Sequence, residues 1–317
     1  MLTVVVPIIL RTGRRPVIFS RFAGLGDVIC TFPAALALKK RHPQAAFIYN
    51  CAASFACLPA MGGVTERVTH LQPIGLVGHW YRALLAGYHE FGSDDDHPLA
   101  DQKELCITSY ARRQGVAVRG EHPPLKIDPA VLARAKATLG KISAGPLILI
   151  HAGPTWPVKQ WPDASWAGLV SALKSRGFEN IFQLGVGAGS YANLGAADAG
   201  GVVGAASLVG KLSLEESLAL ISAADLFVGI DSGLLHAATS FRVPAVGIWG
   251  ATSPQFLFAE SESRGFVVST VDCQGCHHRV PRLHHTTGCP HDIRCLKNLG
   301  VEAVLRACLK TISATKN

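Results

Sequence analysis

The sequence predicts an α/β protein with parallel sheets, folded as two domains, and three observations carry the prediction. Short apolar, partly β-branched runs alternate with helical stretches in both halves of the chain: residues 16–21 and 45–50 in the first, then 147–151, 180–184, 226–230 and 243–249 in the second. Most of these runs stop at a turn rich in Gly, Asp, Ser or Pro, where a strand hands over to a helix. The punctuation at Ser143-Ala144-Gly145-Pro146 separates the two series and reads as the domain boundary. The expected division is 1–142, 143–300 and a helical tail, 301–317, packing back toward the N-terminal domain.

The length of 317 residues gives each domain room for a core of ordinary size. Hydrophobic residues make up 49% and charged residues 16%, a balance that excludes long disorder and favours well-buried sheets. The apolar stretch 2–10 is too short to span a bilayer, and Arg11, Arg14 and Arg15 follow rather than precede it, the reverse of a secretory signal. It reads as an extra strand or a loosely held tail, and the protein as cytoplasmic. The net charge of +8 favours an acidic partner: a nucleotide, a phosphorylated glycan or an anionic membrane, with peripheral association at the inner face of the cytoplasmic membrane. Nucleic acid is not expected, because the basic residues are scattered and aromatics are only 7% of the chain.

In order along the first half, the strand 16–21 runs into Gly24-Leu25-Gly26-Asp27 and then a helix over 28–42. The glycines let the backbone come close to whatever binds there. Asp27 is either a helix cap or a catalytic carboxylate. From residue 71 to 126 the pattern weakens into long loops around a helix near 102–114. Loops of that length tend to line binding faces, and these carry His79 and Trp80. The run Asp94-Asp95-Asp96 has no strand before it and reads as a solvated loop rather than a metal-holding pair. A helix over 126–141 leads to the boundary.

The second half restarts with strand 147–151 and a loop, 152–162, holding Thr155 and Lys159. Lys159 sits between Trp156 and Trp161 in a proline-fixed loop, an unusual setting for an idle charge. Strand 180–184 is followed by Gly185, Gly187 and Gly189, a weak dinucleotide signal because no acidic residue completes it. Ser213-Leu214-Glu215-Glu216 starts a helix with acids in its first turn. Strand 226–230 then breaks at Asp231-Ser232-Gly233, and 234–240 reads as a new helix. Asp231, Ser232 and His236 therefore lie at the carboxyl edge of a strand beside the N–H groups of a helix start, a place suited to phosphate. The plainer alternative is that Asp231 and Ser232 are only caps.

Five of the nine cysteines, Cys30, Cys51, Cys57, Cys106 and Cys308, stand singly in apolar surroundings and read as buried thiols. Cys273, Cys276, Cys289 and Cys295 fall within one loop, 272–296, that also holds His277, His278, His284, His285 and His291. A C-x2-C pair with two further cysteines nearby suits a tetrahedral metal, zinc by default and iron as the alternative, in a structural role.

Several separated motifs stand along the chain: Gly24-Leu25-Gly26-Asp27 followed by Phe32-Pro33-Ala34-Ala35, Lys159-Gln160-Trp161-Pro162, Leu212-Ser213-Leu214-Glu215, Asp231-Ser232-Gly233-Leu234-Leu235-His236 and Gly250-Ala251-Thr252-Ser253-Pro254. In this order and spacing they resemble glycosyltransferase family 9, the ADP-heptose heptosyltransferases. The resemblance covers about residues 16 to 310. It implies a GT-B fold, two Rossmann-like domains facing across a cleft with acceptor on the first and nucleotide-sugar on the second, and inverting transfer without a catalytic metal. Carried over, Asp27 resembles the general base, Lys159 the contact to the donor phosphates and Glu215 the contact to the ribose. Asp231, Ser232, Gly233 and His236, with Thr252, would hold diphosphate and sugar. Thr155 and Gly185 fall on the donor side, and Gly26, His79 and Trp80 on the acceptor side. Ser232 departs from the threonine of many relatives but keeps the hydroxyl.

The expected function is inverting transfer of a sugar, heptose from ADP-heptose, to a glycan, lipid-linked or protein acceptor of the cell envelope. A non-catalytic nucleotide-sugar or glycan binding protein of the same fold is the alternative. A dinucleotide oxidoreductase is disfavoured, since Asp27 stands where a further glycine would be needed.

Overall fold

The computed structural model describes residues 2–70, 84–91, 104–153, 156–186, 201–278 and 288–314. They form two compact units, one running through Lys126 and the other beginning at Ile127.

In the first unit, strands β1 (Val17–Ser20), β2 (Phe47–Asn50), β3 (Val68–Thr69) and β4 (Gly87–Glu90) form a parallel sheet in the order β3-β2-β1-β4. β1 and β2 are buried throughout, which is why they read as continuous apolar runs and not as alternating ones. Helix α2 (Leu25–Arg41) follows β1 and buries Val28, Ile29, Phe32, Ala35 and Leu38. It ends in Lys39, Lys40 and Arg41, cations that complement the negative end of the helix dipole. Short helix α3 (Leu58–Met61) follows β2, and α4 (Cys106–Arg113) packs against α2.

Residues Leu2–Thr12 form a helix, α1, where the sequence suggested a strand or a tail. Val5 is buried, and Ile8 and Ile9 pack beside it on Ile18, Ile48 and Leu85. Positions i, i+3 and i+4 share one face only in a helix, and a short apolar run does not reveal that period by itself.

In the second unit, β5 (Leu147–His151), β6 (Asn180–Gln183), β7 (Ala206–Ser207), β8 (Leu226–Ile230), β9 (Ala245–Trp249) and β10 (Val267–Val268) lie parallel in the order β10-β9-β8-β5-β6-β7. This is the Rossmann order, with the direction of winding reversing between β5 and β8. The first sheet reverses in the same way between β1 and β4.

Helix α5 (Pro129–Ala137), capped by Asp128, packs against α7 (Leu214–Ser222) and so belongs to the second unit. The boundary thus falls near residue 126 and not at 142: the Gly/Pro stretch is a turn inside the second unit, and packing, not punctuation, decides. Helices α6 (Asp163–Lys174), α8 (Gly233–Ser240), α9 (Arg294–Lys297) and α10 (Val301–Ala314) complete the unit. The core joins Trp161, Trp166, Leu169, Leu173, Val228, Ile230, Val246, Ile248, Val304 and Leu305. Trp161, fully buried, has its indole N–H satisfied by the Leu299 carbonyl at 2.9 Å. α10, expected to return toward the N-terminal domain, covers the second unit's own sheet, against α6 and β9.

Candidate functional site

The second unit gathers its chemistry at the carboxyl edge of the sheet, beside the reversal point. β8 is apolar and buried from end to end, and the first residue after it is Asp231. Asp231 does not cap the helix that follows. Its Oδ2 lies 2.6 Å from Lys159 Nζ, with only 5% of the Asp231 side chain and 15% of the Lys159 side chain exposed. Burial alone would raise the Asp231 pKa, but the charge and hydrogen bond of Lys159, then His236 and a hydrogen bond from Thr252, bring it down to about 2. The carboxylate is therefore ionised across the physiological range.

Lys159 comes from the loop after β5, where Pro157–Lys159 makes a single 3-10 turn. Its ammonium also stands over the Trp156 ring, 4.2 Å from the centroid. Thr252 sits in the turn after β9 and is buried. His236 lies one helical turn into α8, and its ring stacks on Phe258 with centroids 4.5 Å apart. Three loops, after β5, β8 and β9, thus converge on one buried ion pair.

Ser232 is the N-cap residue of α8, with extended backbone (φ −156°), yet its side chain makes no cap hydrogen bond. Its Oγ is buried and has no partner among the described residues. A hydroxyl in that state is unexplained by folding and is suited to an arriving acceptor group. Gly233 opens the helix behind it, so no Cβ crowds the helix N-terminus.

Gly185 follows β6, and a Cβ there would meet the Gly153 carbonyl at 2.9 Å, so only glycine lets the loops after β5 and β6 approach so closely. Glu215 lies in the first turn of α7, whose capping box is closed by Ser213 and Glu216. Glu216 rather than Glu215 is the acid used by the cap. His151 ends β5 fully buried, and burial lowers its pKa to about 4, so it is neutral.

In the first unit, Asp27 stands in the first turn of α2 beside the carboxyl end of β1, its side chain 31% exposed. Its Oδ1 accepts from Arg21 Nη2 at 2.9 Å and from the Tyr110 hydroxyl at 3.0 Å, and Arg21 Nη2 also donates to the Tyr110 oxygen at 2.9 Å. Arg21 is pinned at its other end by the Phe91 carbonyl, 2.7 Å from Nη1, just beyond β4. Burial works against the Arg21 charge, but Tyr110 and Asp27 outweigh it and hold the guanidinium above its ordinary pKa. Burial, with Cys106 and Asp27 nearby, raises the Tyr110 phenol well above its usual value, which keeps it a donor. Gly26 is buried next to Asp27.

None of the nine cysteines is joined in a disulfide. The 273–277 turn is laid along the turn after β9: Gly275 N–H donates to the Gly250 carbonyl (3.0 Å), His277 N–H to Ala251 (2.9 Å) and Gln274 Nε2 to Thr252 (3.1 Å). Cys295 on α9 is buried on the same turn; a Cβ at Gly250 would lie 2.9 Å from its Sγ. Burial raises the Cys295 thiol to about 11, and Cys273, Cys289 and Cys276 all act on it electrostatically. The four thiols therefore feel one another electrostatically, but no three of their sulfurs lie within 4.8 Å of one another. Between Cys289 and Cys295, Asp292 and Ile293 both adopt positive φ (49° and 46°), a costly conformation for the β-branched Ile293.

His79, Trp80 and Thr155 lie outside the described residues, as do Asp94-Asp95-Asp96, Gly187 and Gly189. Reasoning from sequence missed Arg21 and Tyr110 as partners of Asp27, and His151. Arg21 had a signal, a charge closing an apolar strand. Tyr110 had none.

The model of glycosyltransferase family 9 (heptosyltransferase) matches residues 94–286, more than half of the chain. The chain belongs to glycosyltransferase family 9. Among its relatives in this family, lipopolysaccharide heptosyltransferase 1 of Pseudomonas aeruginosa is 32% identical over 130 residues, 41% of this chain and 36% of that protein. The autotransporter heptosyltransferase Aah of Escherichia coli is 26% identical over 264 residues, 83% of this chain and 63% of that one. The chain therefore spans from about a third to somewhat under two thirds of the length of these relatives. Among solved structures, the iron-containing dodecameric glycosyltransferase TibC of enterotoxigenic E. coli superimposes with a TM-score of 0.73 at 21% identity, over 96% of this chain and 80% of that one. TibC in complex with ADP-D-beta-D-heptose matches with a TM-score of 0.70 at 21% identity, over 95% and 77%. For this family 9 member the likeness establishes the GT-B fold, two units with parallel sheets.

Proposed function

We propose that this family 9 protein is an inverting glycosyltransferase that moves a sugar, heptose from ADP-heptose, to a cell-envelope acceptor. The observation that carries the reading is the Lys159–Asp231 pair at the winding reversal of the second sheet, beside the Ser232 hydroxyl at the start of α8, which has no partner among the described residues. The donors in the names of relatives agree: TibC is described with ADP-D-beta-D-heptose, and the relatives are heptosyltransferases. The acceptor is a glycan, a lipid-linked sugar or a protein.

In the proposed reaction the acceptor hydroxyl oxygen attacks the anomeric carbon from one face. Its proton passes to the Asp27 carboxylate, which Arg21 and Tyr110 hold in a fixed orientation. The bond from that carbon to the diphosphate oxygen breaks on the opposite face, and the nucleoside diphosphate leaves with the electron pair. Lys159, the Ser232 hydroxyl and the N–H groups at the start of α8 meet the charge that gathers there. Asp231 faces Lys159 and not the phosphates, since two anions repel; its part is to hold the ammonium in place. Glu215 contacts the ribose hydroxyls, with Gly185, Gly233, His236, Thr252 and Thr155 lining the donor side, and Gly26, His79 and Trp80 the acceptor side.

The cysteine cluster suits a structural metal. The support is the spacing C-x2-C with two further cysteines nearby, the absence of a disulfide among the four, and the description of TibC as iron-containing; the sulfurs themselves are not drawn together to ligand distance. Cys273, Cys276, Cys289 and Cys295 would hold zinc or iron, whose contribution is to cross-link the loop.

No helix among the described residues is long and apolar enough to cross a membrane. The positive charge fits work at the inner face of the cytoplasmic membrane. The test is incubation with ADP-heptose and candidate acceptors, reading ADP release and product mass, with thermal shifts for ADP, UDP, GDP and NAD. Transfer together with a shift by ADP supports the reading. Binding without transfer to any acceptor favours the non-catalytic alternative, and no nucleotide binding at all removes the transferase and nucleotide-sugar readings and leaves only a glycan binder.

A further inference from the structure

The cysteine-rich turn also touches the residue that holds the phosphate lysine. The ring of His277, a residue 9% exposed, packs on Trp156 with centroids 5.1 Å apart and the planes tilted by 53°. The Trp156 ring carries the Lys159 ammonium at 4.2 Å. His277 is itself fixed from behind, by His278 at 5.4 Å and through it by Phe256 at 4.6 Å. Its backbone N–H is tied to Ala251, one residue before the Thr252 that bonds Asp231. The turn therefore reaches the ion pair from two sides: through rings to the lysine, and through Thr252 to the aspartate.

We infer that Trp156 and His277 are positioning residues for Lys159, so that the cysteine-rich turn forms a wall of the donor diphosphate site. A lysine ammonium is a point charge on a flexible four-carbon stem, and its orientation must be fixed before it can meet a diphosphate efficiently. Asp231 fixes one direction of approach; the Trp156 face fixes a second by cation–π attraction while leaving N–H donors to a ligand. His277 keeps the indole from turning away. The inference rests on Lys159 being the donor-phosphate ligand.

The test is ADP affinity by calorimetry in a double-mutant cycle on the full chain. In protein that keeps Lys159, His277→Ala and Trp156→Leu are each expected to weaken ADP binding roughly 3- to 10-fold. His277→Phe and Trp156→Phe, which keep a ring, are expected to recover most of the loss. In the Lys159→Met background the same substitutions are expected to add less than about 2-fold, because the residue they position is gone. Steady-state kinetics should place the change in the donor KM and leave the acceptor KM alone. Thermal melts accompany each variant; if His277→Ala does not fold, the comparison of Trp156→Leu with Trp156→Phe, with and without Lys159, carries the test. An undiminished ADP affinity in the ring-less variants, or an equal loss with and without Lys159, overturns the inference while leaving the donor site intact. A wild-type protein that does not bind ADP, or a Lys159→Met variant that binds it equally well, overturns the donor reading itself.

Discussion

Asp231 Oδ2 and Lys159 Nζ, 72 residues apart in the chain, meet at 2.6 Å with both side chains largely buried. An ion pair so placed makes stability depend on pH. The Asp231 pKa is about 2 in the folded protein against an ordinary 3.8, so the native state favours the carboxylate. Its contribution is complete above the unfolded value and is lost as pH falls through the folded one, between about pH 4 and pH 2, with a size of about 2 kcal/mol. Urea melts across that range should show the slope, and Asp231→Asn should flatten it. An unchanged slope in the variant would assign the acid sensitivity to other groups.

The Tyr110 hydroxyl, which donates to Asp27 and accepts from Arg21, can be removed while the direct Arg21–Asp27 contact stays. Tyr110→Phe takes away the hydroxyl that bonds Oδ1 and keeps the ring under Arg21. Loss of one hydrogen bond to a charged group of this kind should lower kcat by about 10-fold or more through loss of orientation. Asp27→Asn should abolish turnover. Both should bind ADP as the wild type does, which stopped-assay kinetics and calorimetry can check together; near-normal turnover in Asp27→Asn would remove it as the base.

How much of this was written in the chain depends on distance along it. The 226–240 segment declares itself because strand, break and helix follow one another, and the break carries Asp231 and Ser232. Asp27 declares itself for the same reason after β1. The Arg21–Tyr110–Asp27 group does not, since Tyr110 lies 83 residues from its acid and its only local feature is a place on an amphipathic helix. Nor does the contact of Trp156 with His277, made by two loops that meet only when β5 and β9 share a sheet. α1 misled because a short apolar run has no visible period, and α5 because a Gly/Pro turn says where the chain bends and not which neighbour a helix packs on.

The cysteine cluster makes a prediction separable from catalysis. Protein purified without a histidine tag should carry about one equivalent of zinc or iron, and dialysis against a strong chelator should remove it. Melting temperature should fall with the metal, since the loop loses its cross-link, and Cys276→Ser should reproduce the fall. Metal content well below about one tenth of an equivalent, in protein handled anaerobically and never exposed to chelator, would end the proposal.

Ser232 offers the sharpest separation of folding from function. Were it a working N-cap, Ser232→Ala would cost about 1 kcal/mol of stability. Its hydroxyl makes no cap bond, and Oγ is buried without a partner among the described residues, so removing it deletes no hydrogen bond of the fold and relieves a desolvated polar atom. Stability should therefore stay level or rise slightly. ADP binding should weaken by roughly 5- to 20-fold, the loss expected when one hydrogen bond to a charged ligand goes. Ser232→Thr, which keeps the hydroxyl, should bind ADP nearly as well as the wild type. Chemical denaturation and calorimetry on the two variants decide it: a destabilised Ala variant with full ADP affinity would make Ser232 a cap after all.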